Sequence, residues 1–237
     1  MKVAVLNWSG NVGKTTVAAH LLKPRMGDAR VFSVESLNVD ASKDGIDVEK
    51  LKGKQFRELT DELMLLDDAI IDVGASNVED LMKNMQMFAG SHVEFDFFVV
   101  PITKEKKVLA DSVNTLRALA ALGIPKERIR VVFNKVETDD VVEDAFAPIF
   151  GLAQAEKSFV VKREAVIYSN EVFELLKSVG KTLGDVAADS TDYRAQIKDE
   201  KDADKQAQLV RMVQIKRLAT GATAQLDAVF KVLFAAK

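Results

Sequence analysis

Ser9, Gly10, Asn11, Val12, Gly13, Lys14, Thr15 and Thr16 form a run whose residue types suit the holding of a polyphosphate. Glycines at 10 and 13 let backbone N–H groups turn inward around phosphate oxygens. Lys14 is placed to reach a β/γ-phosphate, and the Thr15 hydroxyl to sit on Mg²⁺. The run follows an apolar stretch ending at Leu6 and precedes an apolar helix-like stretch, Val17 to Leu22. A helix start there adds its positive end to the anion site. The spacing departs from G-x-x-x-x-G-K-[ST], because Trp8 stands where that pattern has its first glycine. The bland alternative is a Gly-Lys in an ordinary strand-to-helix turn.

Three further places could serve the same ligand. Ala69-Ile70-Ile71-Asp72-Val73-Gly74 is an apolar strand ending in a carboxylate, which could hold Mg²⁺ opposite Thr15. The competing reading makes Asp72 a helix cap. Asn134, after another apolar run, could hydrogen-bond a purine or could be a strand-end turn residue. Asn-Lys-x-Asp would read guanine, but the fourth residue here is Glu137, one methylene longer; adenine is favoured and guanine stays open. Glu35, Asn38 and Asp40 follow the second strand, where such sites place groups that orient an attacking water. Glu35 and Asn38, together with Lys14, are the candidates for chemistry. The nucleotide-holding set is Gly10, Asn11, Val12, Gly13, Lys14, Thr15, Thr16 and Asn134, and the metal pair is Thr15 and Asp72.

Something must position these groups. Val3 to Leu6, Val31 to Val34, Ala69 to Val73, Phe95 to Val100 and Ile129 to Phe133 are short apolar runs of the kind buried in parallel sheets. Helical spacing follows the third and fourth of them: Val78, Leu81, Met82, Met85 and Phe88, then Val108, Leu109, Val113, Leu116 and Leu119. Gly123 and Pro125 stop the latter helix. The alternation predicts an α/β fold, a mostly parallel doubly wound sheet with ligands at the strands' carboxyl ends. A nucleotide-binding domain is expected over residues 1–167. A helical C-terminal extension over 168–237 is expected to pack on it. The extension opens with a short helix, Asn170 to Lys177. A stretch from Asp189 to Lys205 follows, heavily charged with both signs, as in a solvated helix or a connector. One or two amphipathic helices then run from Gln206.

Composition sets outer limits. The 237 residues suit one α/β domain with an appendage, and 48% hydrophobic content supports a full core. A net charge of −3 creates no global field toward nucleic acid or membrane. No cysteine is present, so disulfides and thiolate metal sites are excluded. His20 and His92 are too few for a histidine metal cluster and read as packing or surface residues. No signal peptide fits the Met-Lys start and no apolar run is long enough to cross a bilayer, which points to the cytoplasm.

Together these residues resemble the ParA/MinD family of deviant-P-loop ATPases over roughly Met1 to Lys135, about one nucleotide-binding domain. Within it, Asn7 to Thr16, Val34 to Asn38, Gly45 to Phe56 and Gly180 to Arg194 resemble the plasmid-stability StbB-like proteins. The resemblance implies binding of ATP and Mg²⁺, a homodimer closing across the nucleotide, and a role in positioning plasmids, chromosomes or division proteins. For the StbB-like group it further implies a plasmid-encoded DNA-binding partner and a bearing on plasmid stability and conjugative transfer. Two departures matter. Ser9 stands where the family has a lysine that reaches the partner's phosphates, and Leu37 stands where it has an aspartate that positions water. A leucine can neither polarise nor orient water, so weak ATPase activity is expected.

Direct nonspecific DNA contact would need basic clusters; Lys104, Lys106 and Lys107 form one, and Arg211, Lys216 and Arg217 another. Both read more simply as solvated faces. The stripe Leu226, Val229, Phe230, Leu233 and Phe234 has only Lys231 and Lys237 beside it, so packing is expected rather than membrane binding. Two other functions are open at this point. One is a metabolic P-loop enzyme that phosphorylates a small molecule. The other is an adaptor with a degenerate nucleotide site.

Overall fold

The computed structural model describes residues 1–34, 48–51 and 56–235. Its centre is a seven-stranded sheet in which every pair is parallel, ordered β3-β2-β4-β1-β5-β6-β7. The strands are β1 Lys2–Val5, β2 Arg30–Val34, β3 Val48–Leu51, β4 Ala69–Val73, β5 Phe97–Ile102, β6 Ile129–Val136 and β7 Val166–Tyr168. The apolar runs correspond to β1, β2, β4, β5 and β6. The two strands without such a run, β3 and β7, lie at the sheet's edges.

Period-two alternation explains the three layers. Val3 and Val5 of β1 enter one core, while Ala4 and the following Leu6 enter the other. The first core takes the π-helical turn Val17–Leu22, which continues α1 Lys14–Thr16, and later helices of the chain. In that turn the Lys23 N–H bonds the Ala18 carbonyl, five residues back. The second core takes α2 Phe56–Leu65, α3 Val78–Met87 and α4 Lys106–Ala121. After the short α5 Val142–Ala145, α6 Ala147–Glu156 joins that same face through Ile149 and Leu152.

The C-terminal part is helical: α7 Val172–Val179, α8 Leu183–Ala188, α9 Tyr193–Asp199 and α10 Ala203–Phe234. Its apolar residues Val172, Leu176, Leu183 and Ile215 share one core with Val17 and Leu21. The division expected at 167/168 falls inside β7. The terminal stripe packs inward, with Leu226, Val229 and Leu233 each at most 2% exposed. The charged stretch from Asp189 is folded. Tyr193 donates to the Asp189 carboxylate at 2.5 Å, and Lys216 Nζ donates to the Asp189 and Thr191 carbonyls. Hydrogen bonds from Thr191 and Tyr193 hold the Asp189 carboxyl well below the ordinary range.

His20 is 1% exposed, stacks 5.3 Å from Phe173, and has no hydrogen-bond partner for either ring nitrogen among the described residues. Burial, with a smaller push from Lys177, lowers its pKa from 6.5 to about 4. The unfolded chain therefore binds a proton that the folded chain refuses between those values. Stability is complete above 6.5 and is lost as pH falls toward 4, by up to about 3 kcal/mol. Urea unfolding of wild type and His20→Leu across this window checks it; the leucine variant is expected to lose this part of the acid dependence.

Candidate functional site

The loop between β1 and α1 sits at the carboxyl edge of the sheet, beside the end of β4. Parallel pairing sets Val5 against Asp72, which carries the β4 carboxylate to the loop. Thr15 donates its hydroxyl hydrogen to Asp72 Oδ2 at 2.7 Å. The two residues expected as a metal pair are thus adjacent, and the N-cap position of α3 is Asn77, not Asp72. Among the described residues no group of three or more His, Cys, Asp or Glu could hold a metal alone. One carboxylate and one hydroxyl suit Mg²⁺ that takes its remaining oxygens from phosphates and water.

Gly13 has φ of +85° and opens the helix, its carbonyl accepting from Val17 N–H at 2.9 Å. A side chain there would be strained by conformation and by space, since a Cβ would lie 2.1 Å from Asn134 Nδ2. Lys14 is 9% exposed, and its ammonium donates to the Ser9 carbonyl at 2.8 Å and the Asn7 carbonyl at 3.2 Å. An anionic phosphate oxygen is a stronger acceptor for an ammonium than either neutral carbonyl.

Asn134 is 3% exposed, and its amide donates to the Val12 carbonyl at 2.8 Å. In this position it braces the underside of the loop, whereas base reading was the expectation from sequence. Lys135, at φ of +55°, adds a second brace, its amine donating to the Asn11 carbonyl at 2.9 Å.

The approach to the loop is held from the other side by α4, which sequence reasoning missed. The fully buried Asn7 donates to Ser112 Oγ at 2.7 Å and the Pro101 carbonyl at 3.0 Å, and accepts from Ser9 N–H at 2.9 Å. Trp8 N–H donates to Thr115 Oγ1 at 3.3 Å, and Ser9 Oγ donates to Asp111 Oδ2 at 2.6 Å. The Ser9 hydroxyl is therefore engaged within the chain. Nothing local in the sequence announces bonds between residues more than a hundred positions apart.

Gly10, Asn11, Gly13, Lys14, Thr15 and Thr16 line one wall of a cleft of about 350 Å³. Gly74 and Ala75 after β4, Lys135, and Glu174 and Lys177 of α7 complete it. Gly74 N–H bonds the Val34 carbonyl at 3.0 Å, joining the residue after β4 to the end of β2. Glu35, Asn38 and Asp40 lie outside the described residues. Of the basic clusters, Lys104 pairs with Asp140 at 2.8 Å, and Arg211 donates to Ser178 Oγ at 2.7 Å. Lys216 is bound as above, while Lys106 and Lys107 are exposed at the start of α4. No described helix is long and apolar enough to cross a membrane.

No family model matches the sequence, and no curated protein matches it. Solved structures do resemble the fold. A Cyanothece McdA variant in complex with ATP has 14% identity and a TM-score of 0.51, covering 96% of each chain. MinD from Pyrococcus horikoshii complexed with Mg-ADP has 16% identity and a TM-score of 0.52, covering 97% of this chain and 94% of that one. The MinD cell division ATPase of Pyrococcus furiosus has 14% identity and a TM-score of 0.54, covering 91% of this chain and 98% of that one. At such identities the likeness is one of fold: a ParA/MinD-like α/β P-loop architecture with a helical C-terminal part.

Proposed function

We propose that this chain is a nucleotide-dependent switch of the ParA/MinD kind, binding Mg-ATP through Gly10 to Thr16 with Asp72 and hydrolysing it slowly. The observation that carries the reading is the joint geometry of Gly13, Lys14, Thr15 and Asp72. A left-handed glycine opens a helix, a buried ammonium lies in the loop, and a hydroxyl meets a strand-end carboxylate. Neighbouring folds whose structures hold ATP or Mg-ADP support the same ligand. When bound, Mg²⁺ would neutralise phosphate charge beside Thr15 and Asp72.

The protein's own groups bind and orient. Backbone N–H groups of the loop face phosphate oxygens, Lys14 adds a positive charge, and Asn134 and Lys135 hold the loop's carbonyls away from the anion. Glu35 and Asn38 are the proposed aids to hydrolysis. The output is a change in the loops after β2 and β4, read by a second copy of the chain and by a partner. The finer reading is the StbB-like one: a cytoplasmic protein of plasmid stability or partition, linked to conjugation, acting with a plasmid-encoded DNA-binding protein. Ser9 bonded to Asp111 argues for a dimer that closes without a cross-subunit lysine.

Calorimetric titration with ATP, ADP and GTP, with and without Mg²⁺, tests the reading. Asp72→Asn is expected to abolish the gain in affinity that Mg²⁺ gives while sparing most metal-free binding. A variant that keeps full Mg²⁺ dependence removes Asp72 from the site. ADP formation that requires an added metabolite would favour a metabolic kinase, whereas stimulation by DNA or a partner protein favours the switch.

A further inference from the structure

A second concavity, of about 870 Å³, lies at the other end of the sheet. Phe97 opens β5 and Arg130 is the second residue of β6, whereas the phosphate loop follows the carboxyl end of β1. The floor is aromatic. Phe97 meets Phe234 of α10 edge-on at 5.1 Å, Phe150 comes from α6, and Phe159 from the segment after it. The groove thus opens where the two cores of the protein meet the edge of the sheet.

Its rim is cationic, with Lys126, Arg130, Lys157 and Lys162 against one acid, Glu127. Lys162 is spent on the Val232 carbonyl at 2.6 Å, and Lys126 lies 3.9 Å from Glu127 with both side chains more than half exposed. Arg130 is less settled. Its guanidinium lies 5.4 Å from the Phe97 ring centre, and its Nε is buried with no hydrogen-bond partner among the described residues. Burial lowers its pKa and Glu127 only partly offsets that. An incoming carboxylate would pair with the guanidinium's charge.

The wall also offers backbone. Val160 bridges β6 in parallel, accepting from Val131 N–H at 3.2 Å and donating to the Ile129 carbonyl at 2.9 Å. Val161, the next residue and part of the groove, has no backbone partner for its N–H or carbonyl among the described residues. Its N–H and carbonyl can form hydrogen bonds with a docked backbone.

We propose that this groove docks an extended acidic segment of a partner protein. Its apolar side chains sit on the phenylalanines, its carboxylates face Lys126, Arg130 and Lys157, and its backbone pairs with Val161. Charge complementarity selects an acidic occupant, and the aromatic floor selects one with apolar anchors. A concave site between layers does not lie flat on a bilayer, which disfavours a lipid surface. The inference stands apart from the nucleotide reading.

A dansylated peptide of alternating Glu and Phe, titrated into the full chain and followed by anisotropy, tests it. Binding is expected to saturate, to weaken with added salt, and to fall at least about tenfold in the double variant Lys126→Glu/Lys157→Glu. Both lysines are surface residues, so the variant is expected to melt with wild type. Arg130→Gln, which removes the charge beside Phe97, is expected to weaken binding as well. Equal binding of a Lys-and-Phe peptide overturns the proposal, as does indifference to the charge reversal. Saturable uptake of decanoate with no binding of the peptide overturns it in favour of a small amphiphile.

Discussion

Gly13→Ala is expected to lower the melting temperature by about 10 °C and to abolish measurable nucleotide binding. Two costs combine. An L-residue held at the φ of +85° seen here costs about 1–2 kcal/mol. The new methyl would also lie 2.1 Å from Asn134 Nδ2, inside any real contact distance. Asn134 is buried and its amide is committed to the Val12 carbonyl, so it can yield only by breaking that bond and leaving buried groups unpaired, for about 1–3 kcal/mol more. The double variant Gly13→Ala/Asn134→Ala separates the two costs. It is expected to recover part of the lost temperature and to keep the conformational part. Scanning calorimetry of the three proteins decides; a Gly13→Ala protein that melts with wild type and binds ATP would mean that the loop does not have this shape.

Lys14→Met is expected to reduce ATP affinity by about 100-fold, the effect of removing charge-assisted bonds worth about 3 kcal/mol. Methionine keeps most of the stem's bulk, so the fold is expected to survive with a modest loss from the Asn7 and Ser9 carbonyls that the ammonium now serves. The loss should be specific to the β/γ-phosphates, so AMP binding should change little. Trp8, the only tryptophan, adjoins the loop and gives a fluorescence readout beside calorimetry. Unchanged ATP affinity in a folded Lys14→Met protein would sink the phosphate-loop reading.

The parts of the fold legible in the sequence were those with a strong local pattern. Continuous apolar runs marked β1, β2, β4, β5 and β6, because a central parallel strand is covered on both faces. The edges gave less: β7 is three residues long, and β3 reads Val-Glu-Lys-Leu, half charged. Helix α2 was overlooked although its signal is present, with Phe56, Leu59, Thr60 and Leu63 buried at helical spacing. That Gly13, Lys14, Thr15 and Asp72 come together was readable, because sequence order alone places them at strand ends. The work of Asn134 was not, since whether an amide faces a ligand or a loop carbonyl is fixed by packing across the sheet. Asp111, Ser112 and Thr115 looked like the ordinary polar positions of α4, yet Ser112 and Thr115 are fully buried and all three bond the loop's approach.

That last set of bonds has a mechanical meaning. Three successive residues ahead of the bend are fastened to a single turn of α4, so the upstream arm of the loop and that helix translate as one rigid piece. The bend itself is tied on its other flank to the end of β6, through Asn134 and Lys135. A shift of α4 along its axis is therefore expected to be felt at the phosphate cradle through these three bonds.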